Sequence, residues 1–277
     1  MIARPSPGVG EVTITPAARP GDRPGPRVRR TVDPVGTPES SGLSAARLQA
    51  VLWDMDGTLV ETEQYWGEAM FALARQLGGE MSEAARQRTV GTSLRTALGV
   101  LYADLGVERS EEQFLADARW VENQTAELLA GEIHWRPGAR ELLSEVRHAA
   151  VPTALVTTTP RRLADIVLGA IGRAFPDVPP FDTTVCGDEV PARKPDPAPY
   201  LQAMAELGVQ PSGCLVVEDS VAGSTAGLAA GAAVLGVPSL QPLPAMPGLV
   251  LRDTLAGVRL ADLTEVLTAR DAVDARA

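Results

Sequence analysis

Two acidic pairs offer the clearest chemistry. Asp54 and Asp56 are one residue apart in Asp54-Met55-Asp56-Gly57-Thr58, and Glu218 and Asp219 are adjacent in Val217-Glu218-Asp219-Ser220. Two carboxylates so spaced at a strand end can share a metal and divide the work of nucleophile and proton donor. Gly57 permits a turn that directs backbone N–H groups toward an anion. Neighbouring carboxylates repel one another, so a bound cation is a natural account of the second pair. The hydroxyls of Thr157-Thr158-Thr159 can donate to phosphoryl oxygens. Lys194, in the stiff turn Arg193-Lys194-Pro195-Asp196-Pro197, can offset developing negative charge. Each segment also has a plain structural reading: a turn at Asp54, helix caps at the threonines and at Asp219 or Ser220, an exposed lysine. The set is far more specific than any member, and it is equipped for phosphoryl chemistry.

These residues need a scaffold that gathers strand ends. Ala50-Val51-Leu52-Trp53, Thr153-Ala154-Leu155-Val156, Thr183-Thr184-Val185-Cys186, Cys214-Leu215-Val216-Val217 and Ala233-Val234-Leu235-Gly236-Val237 are short apolar runs. Helical stretches alternate with them at 139–147, after the threonines, at 199–207 and at 222–230. Continuous apolar strands alternating with helices predict an α/β fold, a parallel sheet covered on both faces. Sites in such sheets lie beyond the carboxyl ends of the strands. The chain from 63 to 135 differs: amphipathic segments at 69–77, 82–89 and 111–129 follow one another with no strand between them, which predicts a helical insert. The reading therefore divides the chain into a Pro/Gly/Arg-rich tail at 1–45, expected to be disordered, a core at 46–62 and 136–277, and the insert at 63–135.

Composition narrows the function classes. With 45% hydrophobic and 22% charged residues, the chain of 277 residues has ample material for a core. A net charge of -10 argues against a broad surface for nucleic acid or anionic membrane. Two cysteines, Cys186 and Cys214, are too few for a disulfide framework, and two histidines, His134 and His148, rule out a histidine-rich metal site. No apolar run approaches the roughly 20 residues needed to span a bilayer. The expectation is a cytoplasmic protein, with a monomer favoured.

The order and strand-end placement of Asp54 to Glu63, Leu155-Val156-Thr157-Thr158, Lys194-Pro195-Asp196-Pro197 and Val217 to Gly223 resemble the haloacid dehalogenase superfamily, in the branch of sugar-phosphate phosphatases and beta-phosphoglucomutase. The resemblance covers about 51–233. It implies a Rossmann-like core with a helical cap domain inserted after the first motif. It further implies Asp54 as nucleophile, Asp56 as general acid and base, Mg2+ bound by Asp54, the Asp56 carbonyl and Asp219 with Glu218 directly or through water, and Thr157, Thr158 and Lys194 on the phosphoryl oxygens. The expected activity is hydrolysis of a small phosphorylated metabolite through an aspartyl phosphate. A phosphosugar mutase is the alternative, weakened by Trp66 where that mutase has a histidine; a catalytically silent binding module is the other. Gly91, Thr92 and Arg95, in Val90-Gly91-Thr92-Ser93-Leu94-Arg95, sit where related caps present a substrate loop; a helix N-cap with Arg95 in solvent is the competing reading.

Overall fold

The computed structural model describes residues 48–131 and 133–274. The expected disordered tail lies outside them. Among the described residues six strands form one parallel sheet: β1 (Ala50–Trp53), β2 (Thr153–Val156), β3 (Thr183–Val185), β4 (Cys214–Glu218), β5 (Ala233–Gly236) and β6 (Leu249–Leu251). Their order is β3-β2-β1-β4-β5-β6. The chain leaves β1 toward β2 on one side and later returns to β4 on the other, so the strand order reverses between β1 and β4. Such a reversal opens a crevice at the strand carboxyl ends, and Asp54 directly follows one of these strands while Glu218 ends the other.

Alternation along each strand divides the core. Val51 and Trp53 of β1, with Leu155, Leu215, Val217 and Leu235, pack against α5 (Ala139–His148), α6 (Arg161–Arg173) and α9 (Leu260–Asp274). Ala50, Leu52, Ala154, Val156, Val216 and Val234 face α7 (Ala198–Leu207) and α8 (Val221–Ala229). In α5 the buried residues Ala139, Leu142, Leu143 and Val146 recur at helical spacing, which makes one apolar stripe. Gly138 caps its start at φ +81°, where a Cβ would lie 2.2 Å from the Leu255 carbonyl. That close approach accounts for the glycine at this position.

Between β1 and β2 the chain forms α1 (Glu63–Gln76), α2 (Glu83–Thr89), α3 (Leu94–Leu105) and α4 (Glu111–Leu129). Ser82, Ser93 and Ser110 each accept a hydrogen bond from the backbone three residues on, so three of the four helices start at a serine cap. The helices enclose a separate apolar cluster containing Ala69, Leu73, Leu98, Leu101 and Val121. The insert joins the core through two adjacent segments. Val60 and Trp135 form an antiparallel bridge, Glu61 N donates to the His134 carbonyl at 2.8 Å and Arg136 N to Leu59 at 2.9 Å. A salt bridge of 2.8 Å between Arg136 and Glu61 closes this hinge.

Four elements differ from the sequence expectation or add to it. Helix α1 begins six residues before the stretch read from Ala69, α3 is a further helix of the insert and starts at a Ser93 cap, in line with the competing reading of 90–95, and β6 and α9 complete the core beyond the last expected strand. Trp66 and Trp120 pack on the cluster of the insert and Trp135 on the main core, its ring 6.1 Å from that of Phe175. The bulk of each indole is thereby used in packing. Both histidines are exposed.

Candidate active site

Asp54 leaves the central strand with its N–H still bonded to the Val217 carbonyl, at 3.1 Å, so the sheet itself aims it at the crevice. One oxygen, Oδ1, accepts from Lys194 Nζ at 2.8 Å, and the other, Oδ2, accepts from Thr58 Oγ1 at 2.9 Å. The lysine side chain is only 2% exposed. Its ammonium also donates to Glu218 Oε1 at 2.6 Å and to the Val156 carbonyl at 2.8 Å, and it stands 4.9 Å from the centre of the Tyr200 ring. Burial works against the ammonium, but Asp54 and Glu218 outweigh it and hold Lys194 well above its ordinary value. The lysine is therefore a fixed positive charge.

Glu218 is completely buried. Besides Lys194, Oε1 accepts from the Tyr200 hydroxyl at 2.8 Å, while Oε2 accepts from the backbone of Asp219 and Ser220 and from Ser220 Oγ. The side chain thus ties the lysine to the first turn of α8. Ser220 in turn caps that helix by accepting from Gly223 N at 3.0 Å.

Asp219 is bound much less. Among the described residues its carboxylate accepts one hydrogen bond, from Thr58 at 3.5 Å to Oδ1. Burial, with Asp54 and Glu218 nearby, pushes its carboxyl up to about 9; burial and Glu218 push Asp54 up to about 7. Oxygens of Asp54, Glu218 and Asp219 lie within 4.8 Å of one another. Such an all-oxygen set, with one under-bonded carboxylate and more negative charge than Lys194 can offset, fits a hard divalent cation such as Mg2+. Gly57, at φ +85°, leaves the room: a Cβ there would fall 2.2 Å from Asp219 Oδ2. Its N–H is taken by the Val60 carbonyl at 2.8 Å, so close approach rather than anion binding accounts for this glycine.

Asp56 lies on the other side of the loop. Thr62 donates to Oδ1, and Thr157 and Thr159 donate to Oδ2 at 3.0 and 2.7 Å. Thr157 is therefore a partner of Asp56, and Thr158, expected beside it, is exposed. Sequence reasoning passes over Thr62 and Tyr200 and names Thr159 only within its threonine run. Thr62 and Thr159 belong to segments already singled out, but nothing in their spacing tells which hydroxyl turns inward. Tyr200 looks like an ordinary core position of α7.

The insert also meets the core at the loop after α2. Gln241, beyond β5, donates to the carbonyls of Gln87 and Val90 at 3.4 and 3.2 Å, which brings Gly91 and Thr92 close to the core. Thr92 Oγ1 bonds back to the Thr89 carbonyl at 2.8 Å. Ser93 is the cap of α3. Arg95 is not brought to the carboxylates: it pairs with Glu111 at 2.6 Å on the surface and stacks over Phe114 at 4.0 Å.

Comparison with known proteins agrees with this geometry. A family model described as haloacid dehalogenase-like hydrolase matches residues 48–231. The chain is 34% identical over 184 residues to the phosphorylated carbohydrates phosphatase of Thermotoga maritima, covering 66% of this chain and 82% of that protein. It is 31% identical over 233 residues to hexitol phosphatase B of Escherichia coli, covering 81% and 96%. Among solved structures, CbbY from Rhodobacter sphaeroides in complex with phosphate matches with a TM-score of 0.67 at 28% identity, over 78% of this chain and 99% of the other. A beta-phosphoglucomutase from Clostridium difficile shares the fold, with a TM-score of 0.69 at 22% identity over 81% and 99%. The crevice between β1 and β4 thus belongs to a haloacid dehalogenase-like hydrolase, the family of which this chain is a member.

Proposed function

We propose that the chain is a Mg2+-dependent phosphatase that hydrolyses a monophosphate of a small sugar or polyol through an aspartyl phosphate on Asp54. The observation that carries this reading is the division of the two aspartates. Asp54 is gripped by Lys194 and Thr58 at the metal-fitting cluster, whereas Asp56 is held apart from that cluster by three threonine hydroxyls.

In the first step a carboxylate oxygen of Asp54 forms a bond to phosphorus as the bond to the substrate's alcohol oxygen breaks, and Asp56 gives that oxygen a proton. In the second step Asp56 takes a proton from water, whose oxygen attacks the phosphorus and frees Asp54. Lys194 stays charged throughout and offsets negative charge on the transferring group. Asp54, Asp219 and the Asp56 carbonyl would hold the cation, which supplies further positive charge for the phosphoryl oxygens. Because both oxygens of Glu218 are already bonded, we assign it the positioning of Lys194 before any direct place on the cation.

The relatives named as phosphatases of phosphorylated carbohydrates and of hexitols favour this substrate class. So do the arginines near the hinge and the insert loop. Arg86 pairs with Glu63, Arg95 with Glu111 and Arg136 with Glu61, which leaves these three committed before a substrate's second anionic group arrives. The helical insert at 63–135 would act as the cap, with Gly91 and Thr92 at its substrate edge. The mutase reading gains nothing from Trp66, which packs into the cap.

The test is phosphate release from p-nitrophenyl phosphate and a panel of hexitol and hexose phosphates, with and without Mg2+, by the native chain and Asp54→Asn. Activity that needs Mg2+ and disappears in the variant is expected. Equal rates in the two proteins would refute the mechanism, and an isomerised sugar phosphate without phosphate release would favour the mutase.

A further inference from the structure

Ser239 follows β5 in the loop 237–241. Its Oγ is buried and, among the described residues, has no hydrogen-bond partner. A buried hydroxyl left so is costly, so its surroundings show what it is for. The space left by the missing side chain of Gly57 answers this. A Cβ at Gly57 would lie 2.2 Å from Asp219 Oδ2 and 3.3 Å from Ser239 Oγ, so the carboxylate and the hydroxyl border the same small volume. Thr58 approaches Asp219 on the other oxygen, Oδ1.

The loop is held on both sides of the serine. Val237 N donates to the Glu218 carbonyl at 2.7 Å, Arg136 donates to the Pro238 carbonyl at 3.4 Å, and Gln241 reaches the cap carbonyls of Gln87 and Val90. The hydroxyl is therefore presented to this corner by the backbone around it. Mg2+ gives up its water reluctantly and usually keeps several molecules when bound to protein. Groups that hydrogen-bond such a hydration shell orient it and raise metal affinity.

We propose that Ser239 is a positioning residue of the cation site: its hydroxyl hydrogen-bonds the hydration shell of the cation beside Asp219 Oδ2. This rests on the divalent-cation reading given above and adds a residue that the two acidic pairs do not contain. Ser239 touches no reacting atom and acts through the cation.

The test is isothermal titration of the metal-stripped full chain with MgCl2, comparing the native protein, Ser239→Ala and Ser239→Thr. Ser239→Ala should bind Mg2+ about 10–100-fold more weakly, while Ser239→Thr, which keeps the hydroxyl, should stay within about threefold. Thermal melts in EDTA should coincide for all three, which separates metal affinity from folding. Ser239→Ala with an affinity within twofold of native overturns the proposal and leaves the cation reading standing. Equal weakening in both variants also overturns it, because shape rather than the hydroxyl would then be responsible. A native chain that takes up no Mg2+ overturns the cation reading and this proposal with it.

Discussion

Asp219→Asn should stabilise the metal-free protein at pH 8 and abolish its stabilisation by Mg2+. In the fold, burial and the neighbouring Asp54 and Glu218 raise Asp219 from 3.8 to about 9, and burial with Glu218 raises Asp54 from 3.8 to about 7. From about pH 4 up to these values the folded chain keeps protons that the unfolded chain has lost. The stability tied to those protons is complete in acid and falls as pH rises through the folded values, by up to about 1.4 kcal/mol per pH unit for a titrating group. Asp54 and Asp219 titrate as an interacting pair, and asparagine removes one member. Between roughly pH 5.5 and 8 the variant should gain on the order of 2–3 kcal/mol over the native chain, or roughly 4–10 °C in melting temperature for a domain of this size. Calorimetry of both proteins in EDTA across this range would measure the gap; repeating it with MgCl2 should raise the native melting temperature and leave the variant where it was. A variant no more stable than native at pH 8, or a gap that does not change with pH, would refute the reasoning that burial and repulsion govern this carboxylate.

Lys194→Met leaves Asp54, Glu218 and the Val156 carbonyl without their shared donor, and urea unfolding should show a loss of about 3–5 kcal/mol; kcat should fall by about 10²–10³ through loss of the fixed positive charge. Gly57→Ala puts a methyl group against Asp219 and strains a backbone at φ +85° by about 1–2 kcal/mol, so the variant should need more Mg2+ for half-maximal activity, as a titration of rate against MgCl2 would show. Arg95→Ala should leave kcat/KM within about twofold on every substrate that the enzyme accepts, since an exposed ion pair contributes little; a larger loss on one phosphorylated substrate would place Arg95 in recognition.

The sequence carried the acidic pairs and the strands that present them because both are local. Val51 to Trp53 is an unbroken apolar run that stops at Asp54, and Val216-Val217 stops at Glu218, so strand and chemistry adjoin in the chain. What no short window contains is which partner a side chain meets across the sheet. Glu218 reads as one half of an acidic pair, yet its partners are Lys194 and Tyr200, brought near by the β3-to-α7 crossover. Ser239 gains its interest only beside Gly57, far away in the chain. The missed elements have similar causes. Strand β6 has three residues, too few for a period, and α3 carries Leu94, Leu98, Val100 and Leu101 around so much of its surface that its buried face is not evident. Position in the motif offers Arg95 as a substrate contact, while the competing pull of Glu111, a full helix away, shows only in three dimensions.

The paired hinge segments also bear on how the chain finds its fold. Strands β1 and β2 are neighbours in the sheet although the whole helical insert separates them in sequence. Closing a loop of about 100 residues costs on the order of 2 kcal/mol more entropy than closing one of about 10. The insert has its own apolar cluster, built from helices consecutive in the chain, and once these have packed, the bridge between Val60 and Trp135 brings its two ends together. The distance that β1 and β2 then search is that of a short connection, and this parallel pairing is reached through contacts that are local.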